Sequence, residues 1–91
     1  GPIKPSHELY GELLLELDRP GEATEQFAKA LLRTPHRPLS LLGSARAAAG
    51  SGDAKTARSR YAELETIWAG SAGQERALNE AHRYLEQAEE Q

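Results

Sequence analysis

The stretch "ATEQFAKALLRTP", from Ala23 to Pro35, contains a pattern that returns 34 residues later in "ARSRYAEL". In both places a small residue is followed by three polar residues, an aromatic residue and an alanine. Phe27 in the first stretch corresponds to Tyr61 in the second. A period of this length is typical of repeated helical hairpins, which stack to bury a common core. The pattern therefore predicts a helical repeat protein that binds another macromolecule.

The composition predicts an all-α domain. Val is absent, Ile occurs twice and aromatic residues make up 5% of the chain, so the apolar residues are mostly Leu and Ala. Leu and Ala favour helices over strands. The 91 residues are enough for one small domain with a modest core.

Segments rich in Pro and Gly divide the chain into five parts, each with the pattern of a helix. Ser6 and Asp53 are predicted N-caps, and Pro38 suits a first helical turn. The linkers have two to five residues, which predicts antiparallel hairpins. We expect helices at about Ser6 to Asp18, Pro20 or Gly21 to Arg33, Pro38 to the "AGSG" segment, the residue after Asp53 to Trp68 or Ala69, and Gly73 to Glu89.

Several classes of function are not expected. A net charge of −3 with mixed signs provides no basic surface for nucleic acid. No run of 18 apolar residues could span a membrane, and the absence of cysteine excludes a thiolate site. The three histidines lie on different predicted elements, and we expect none to pair with a carboxylate or a second histidine at metal-ligand spacing. No nucleophile motif surrounds any serine. We therefore expect no enzyme, no metal and no cofactor.

The period and its helix–turn–helix pattern resemble the tetratricopeptide repeat (TPR) family. The chain departs from the family pattern at the tryptophan position, which holds His7 and Leu41. The positions that the family fills with small, aromatic and turn residues hold Gly11, Ala23, Phe27, Ala30 and Pro35 in the first unit, and Ala45, Ala57, Tyr61 and Leu64 in the second.

The resemblance implies an α-solenoid of two antiparallel helix hairpins and a C-terminal capping helix. Repeat 1 would cover residues 6–35, repeat 2 residues 38–69, and the capping helix residues 72–91. Residues 1–5 are interpreted as a tag remnant or linker. Small residues would let paired helices approach closely, while Phe27 and Tyr61 would fill the space between successive hairpins.

The first helix carries Glu8, Glu12 and Glu16 at intervals of four residues, which places them on one stripe. The resemblance implies that this stripe faces a concave groove, which would be acidic at one end, apolar in the middle and basic at the other. The predicted partner-binding residues are Glu8, Glu12, Leu15, Glu16, Leu39, Leu42, Arg46, Arg76, Glu80 and Arg83. The alternative is an ordinary solvated face with interhelix ion pairs, such as one between Glu12 and Arg46.

Family members that hold the acidic C-terminal tails of chaperones use lysine, asparagine and arginine in these groove positions. Here the first-repeat positions carry Glu8 and Glu12, which would repel a carboxylate. A chaperone tail is therefore not an expected partner.

The first helix also carries a second apolar stripe, formed by Leu9, Leu13 and Leu17. A terminal helix with one neighbour needs only one such stripe. Three explanations stay open: a preceding repeat that has been removed, a second copy that pairs through this stripe, or a folded-back segment around Lys4 that leaves the leucines partly exposed.

These observations predict a non-catalytic protein–protein interaction module, a scaffold or adaptor that belongs to a larger multi-repeat protein. The alternative is a structural role through homodimerisation along the leucine stripe. The high content of Ala, Arg and Leu suggests a bacterial origin, and no pattern indicates a cellular compartment.

Overall fold

The computed structural model of the chain describes residues 5–90, and residues 89 and 90 by their backbone alone. The described part contains five α-helices and no strand, which confirms the all-α prediction. None of these helices is long and apolar enough to cross a membrane. Residues 1–4, which include Lys4 and all of the expected tag remnant except Pro5, lie outside the described residues. The helices are α1 (Ser6–Glu16), α2 (Pro20–Arg33), α3 (Pro38–Gly50), α4 (Ala54–Trp68) and α5 (Glu75–Glu90).

Local chemistry explains where α2, α3 and α4 begin. Pro20 and Pro38 open α2 and α3, as the fixed φ of proline permits in a first turn. The Asp53 side chain accepts a hydrogen bond of 3.2 Å from the Thr56 backbone N–H, which confirms Asp53 as the N-cap of α4. Hydrogen bonds from Thr56 hold the pKa of this carboxyl below its usual value.

Three predicted boundaries are wrong, and the backbone supplies the reasons. Ser6 is the first residue inside α1, where Pro5 occupies the cap position and no side chain caps the helix. Asp18 has a φ of +58°, so α1 ends at Glu16, before the predicted end. Gly73 has a φ of +88°, so α5 begins at Glu75 instead of at Gly73.

Each helix packs against the next along the chain, and α1 also contacts α3. The buried apolar residues form two clusters, one in each half of the molecule. The first cluster contains Leu14, Ala23, Phe27 and Ala47. The second contains Leu31, Leu41, Leu42, Ala45, Tyr61, Leu64 and Ala81.

The Phe27 ring lies between α1 and α3 and fixes how close they are. A Cβ atom on Gly11 would lie 2.8 Å from this ring, and one on Gly43 would lie 2.1 Å from it. Glycine is therefore required on both sides of the ring at this spacing. The predicted small positions are buried as expected: Gly11, Ala23, Ala45 and Ala57.

Candidate functional site

A surface groove lies between α1 and α3, with a volume of about 380 Å³. It is lined by Glu12, Leu15 and Glu16 from α1 and by Arg46 from α3, and we call it the α1–α3 groove. Residues 12, 15 and 16 share one side of a helix because of its period of 3.6 residues. All four are among the predicted partner-binding residues, so the structure brings this part of the predicted set together.

Arg46 is held in place by α5. Its Nε and Nη2 donate hydrogen bonds of 2.9 and 2.7 Å to the two carboxylate oxygens of Glu80. The Tyr61 hydroxyl donates a third, of 2.7 Å, to the same carboxylate. This bidentate geometry fixes the plane of the guanidinium as well as its position. Arg46 is thus ion-paired with Glu80 on α5, and Glu12 also lies close enough to raise the pKa of Arg46.

The pKa values of the three groups follow from this network. The hydrogen bond to Glu80 raises the pKa of Arg46. Burial raises the pKa of the Glu80 carboxyl, but hydrogen bonds from Arg46 and Tyr61 outweigh it, so the net pKa lies below its usual value. Burial, and then the bond to Glu80, raise the pKa of Tyr61 well above its usual range. Glu80 and Arg46 are therefore both charged at neutral pH.

Glu8 does not lie in the groove. Its side chain is fully buried, and its carboxylate accepts hydrogen bonds of 2.8 and 3.1 Å from Arg37 and another from Ser40. The bond to Glu8 raises the pKa of Arg37. Glu8 thus connects α1 to the start of α3, which removes it from the surface available to a partner.

Leu42 is also placed in the core, with an exposed fraction of 7%. Leu42 is therefore absent from the groove surface, and Leu15 is the apolar residue that lines the α1–α3 groove. Leu39, Leu42 and Arg46 lie on one side of α3. Only Leu39 and Arg46 are exposed there, because Leu42 packs into the second core cluster.

Three predicted residues lie on the surface without lining the groove. Leu39 is 39% exposed and precedes Arg46 by two helical turns, so both share a side of α3. Arg76 and Arg83 are exposed on α5, and Arg83 is close enough to lower the pKa of Glu80. Among the described residues, this basic pair lies on the α5 side and the Glu12–Glu16 pair on the α1 side.

Sequence reasoning missed Arg37, Ser40 and the role of the Tyr61 hydroxyl. Arg37 and Glu8 are 29 residues apart, and no periodicity relates them. Tyr61 was assigned to the core from its spacing, and it is indeed 3% exposed. The sequence did contain one signal for this role: a buried position holds tyrosine instead of phenylalanine, and a buried tyrosine hydroxyl usually has a hydrogen-bond partner.

The leucine stripe of α1 is exposed to solvent. The exposed fractions of Leu9, Leu13 and Leu17 are 47%, 48% and 64%. Tyr10 beside them is 51% exposed. None of these residues lines the α1–α3 groove, so the two surfaces predicted from the sequence are separate on α1.

One expectation about the histidines is wrong. His82 lies four residues before Glu86 on α5, and its Nε2 is 3.0 Å from that carboxylate, with Glu65 3.7 Å from Nδ1. His7 instead hydrogen-bonds Gln26 at 2.9 Å. Within residues 5–90, no group of three or more His, Cys, Asp or Glu side chains is arranged to hold a metal ion.

Comparison of the chain with protein-family models, with curated proteins and with solved structures found no match.

Proposed function

We propose that this protein is a non-catalytic TPR-like module that binds a peptide segment of another protein in the α1–α3 groove. The observation that carries the proposal is the convergence of Glu12, Leu15, Glu16 and Arg46 on one groove. These residues come from two hairpins and were selected from the sequence for this role.

The packing supports a repeat architecture. Phe27 and Tyr61 occupy the same position of the 34-residue period, and both rings are buried between helices. The small residues predicted to permit close approach are buried beside them. Successive contacts from α1 to α5 are what a stack of hairpins requires, because each unit covers the apolar side of the one before it.

The groove favours a ligand of particular chemistry. Glu16 supplies negative charge next to the aliphatic side chain of Leu15, and the charge of Arg46 is matched by Glu80. The groove therefore suits a segment that places a lysine or arginine near Glu16 and an apolar side chain on Leu15. An acidic chaperone tail would be repelled at the same place.

The groove wall is also ordered before a ligand arrives. Arg46 is fixed by two hydrogen bonds from its guanidinium to Glu80, and Glu80 by a further bond from Tyr61. A receptor whose side chains are already held loses little conformational entropy on binding. Affinity can then come from few contacts, as expected for a groove of this size.

A random peptide library displayed on phage would test the proposal. We expect selected peptides to pair basic with apolar residues and to shift the NMR amide resonances of Leu15, Glu16 and Arg46. Glu16→Arg reverses the charge at the exposed edge of the groove and should weaken these peptides about tenfold or more, corresponding to ~1.4 kcal/mol.

Glu25→Arg is the matched control, since Glu25 is exposed on α2 and undergoes the same charge reversal away from the groove. It should leave peptide affinity within about twofold of the wild type. Peptides that map to another surface, or that bind equally well to the Glu16 variant, would overturn the proposal.

A further inference from the structure

The outer side of α1 and its C-cap residue present an apolar surface formed by Leu9, Tyr10, Leu13 and Leu17, which we call the leucine face. Each of the four is at least 47% exposed. The leucines follow one another at four-residue intervals, so they form a single ridge along the helix. Contiguous apolar surface of this kind on a small protein indicates a contact site.

The other end of the stack is finished differently. On α5 every exposed residue among the described side chains is polar or charged: Glu75, Arg76, Asn79, His82, Arg83, Glu86 and Gln87. A helix with a polar outer side needs no cover. The leucine face has the opposite character, so of these two surfaces it is the one that favours a partner.

The leucine face is not shaped for another hairpin of the same kind. The positions 34 residues after Leu9 and Leu13 are Gly43 and Ala47, which lie in the Phe27 contact. The Phe27 ring fits there because residue 43 has no Cβ. Leucines at the corresponding places of α1 would exclude an aromatic ring at that distance, so the cover must pack against side chains that project.

We propose that the leucine face is a self-association surface that pairs with the same face of a second copy. Leu13 is the middle of the ridge, and Leu9 and Leu17 lie four residues to either side. A two-fold axis next to Leu13 therefore brings ridge against ridge with all three leucines used, which a closed symmetric dimer requires.

The size of the face sets the strength of this dimer. The four side chains expose on the order of 400 Å² per copy, against about 800 Å² per partner in a standard interface. The dimer should be weak, with a dissociation constant in the micromolar range.

Charge adds a distinguishing feature. Each chain carries a net charge of −3, so two copies repel each other, and salt that screens this repulsion should strengthen the dimer. Salt should have the opposite effect on a basic peptide in the acidic groove. The two activities can therefore be told apart, and failure of one leaves the other standing.

Light scattering and sedimentation across a concentration series test the proposal on the whole chain. We expect the mass to rise from 9.9 kDa toward twice that value, at lower concentrations when salt is added. Leu13→Glu should abolish the rise. Leu32→Glu, at a leucine of α2 that is 83% exposed, is the matched control and should dimerise like the wild type.

Cross-linking gives a second readout that does not depend on affinity. The chain has no cysteine, so a single Leu13→Cys substitution introduces the only thiol. We expect an intermolecular disulfide to form at least tenfold faster than in Leu32→Cys. A chain that stays at 9.9 kDa up to about 1 mM, a dimer that survives Leu13→Glu, or equal cross-linking rates would overturn the proposal.

Discussion

Phe27 and Tyr61 occupy the same position of the 34-residue period, yet their surroundings differ in one chemical respect. The Phe27 ring is fully buried and lies between Gly11 and Gly43, with no space left around it. The Tyr61 ring is 3% exposed and lies 5.0 Å from the Tyr84 ring, and its hydroxyl reaches Glu80. The Phe27 position is filled by packing alone, whereas the Tyr61 hydroxyl links the core to the Arg46–Glu80 pair.

The same position of the 34-residue period therefore has a different structural role in each half of the chain. In the first half of the chain, the Phe27 ring sets the distance between α1 and α3, so the volume of a substituted side chain decides whether it is tolerated. In the second half, the ring also positions Glu80, which holds Arg46 in the groove wall. Steric substitutions should therefore act most strongly near Phe27, and polar ones near Tyr61.

The largest effect is expected from Gly43→Ala. The added methyl would lie 2.1 Å from the Phe27 ring, which cannot move away because Gly11 lies on its other side. We expect a loss of about 3 kcal/mol in the free energy of unfolding, even though alanine by itself favours the helix. Urea unfolding followed by circular dichroism measures it.

Gly21→Ala is the control for this substitution. Gly21 also lies in a helix, but no atom outside its own neighbourhood comes within 4 Å of the added methyl. Its stability should be unchanged or greater by up to about 1 kcal/mol. If the two variants proved equally stable, the Phe27 contact would not be the spacer described above.

A smaller effect is expected from Tyr61→Phe, which makes the second position chemically identical to the first. The ring and its packing remain, while Glu80 loses one of its hydrogen-bond donors. We expect a loss of about 1 kcal/mol in the free energy of unfolding. Tyr10→Phe removes a hydroxyl from a side chain that is 51% exposed and should have no measurable effect.

The smallest effect concerns pH. The folded-state pKa of Glu80 lies below its usual value, so its contribution to stability is complete above the unfolded pKa and is lost as pH falls through the folded pKa. At pH 7 the free energy of unfolding of the wild type should exceed that of Glu80→Gln by less than about 1 kcal/mol, because the Arg46–Glu80 pair is partly exposed.

That difference should disappear as pH falls through the folded-state pKa of Glu80, below which both chains carry a neutral side chain at this position. Measuring the difference between the two chains cancels other carboxyls with lowered pKa values, such as those of Asp53 and Glu75. A difference that stayed constant from neutral to acidic pH would show that Glu80 acts through packing instead of charge.

Most of the fold could be predicted from the sequence. Leu- and Ala-rich segments between Pro and Gly gave five helices in the right order, and the starts of α2, α3 and α4 were placed correctly. The errors lie at the ends of helices, at Ser6, Asp18 and Gly73. A residue there can continue the helix or leave it at nearly equal free energy, so backbone geometry decides.

The candidate site could be predicted only in part. Periodicity placed Glu12, Leu15 and Glu16 correctly on one side of α1. It placed Glu8 on the same stripe, although that carboxylate turns inward to Arg37 and Ser40. Helical periodicity fixes the direction of a residue around the helix axis, but it does not determine which edge of a stripe is covered by the neighbouring helix.

The amino-acid sequence by itself determined the helices, their order and the small and aromatic residues that let them pack. These properties depend on local backbone preference and on side-chain volume, which are readable residue by residue. Only the tertiary structure decided that Arg46 pairs with Glu80 and that Glu8 is buried. Ion pairs between distant helices depend on positions in space that no spacing along the chain specifies, because many arginines and glutamates are available and distance selects among them.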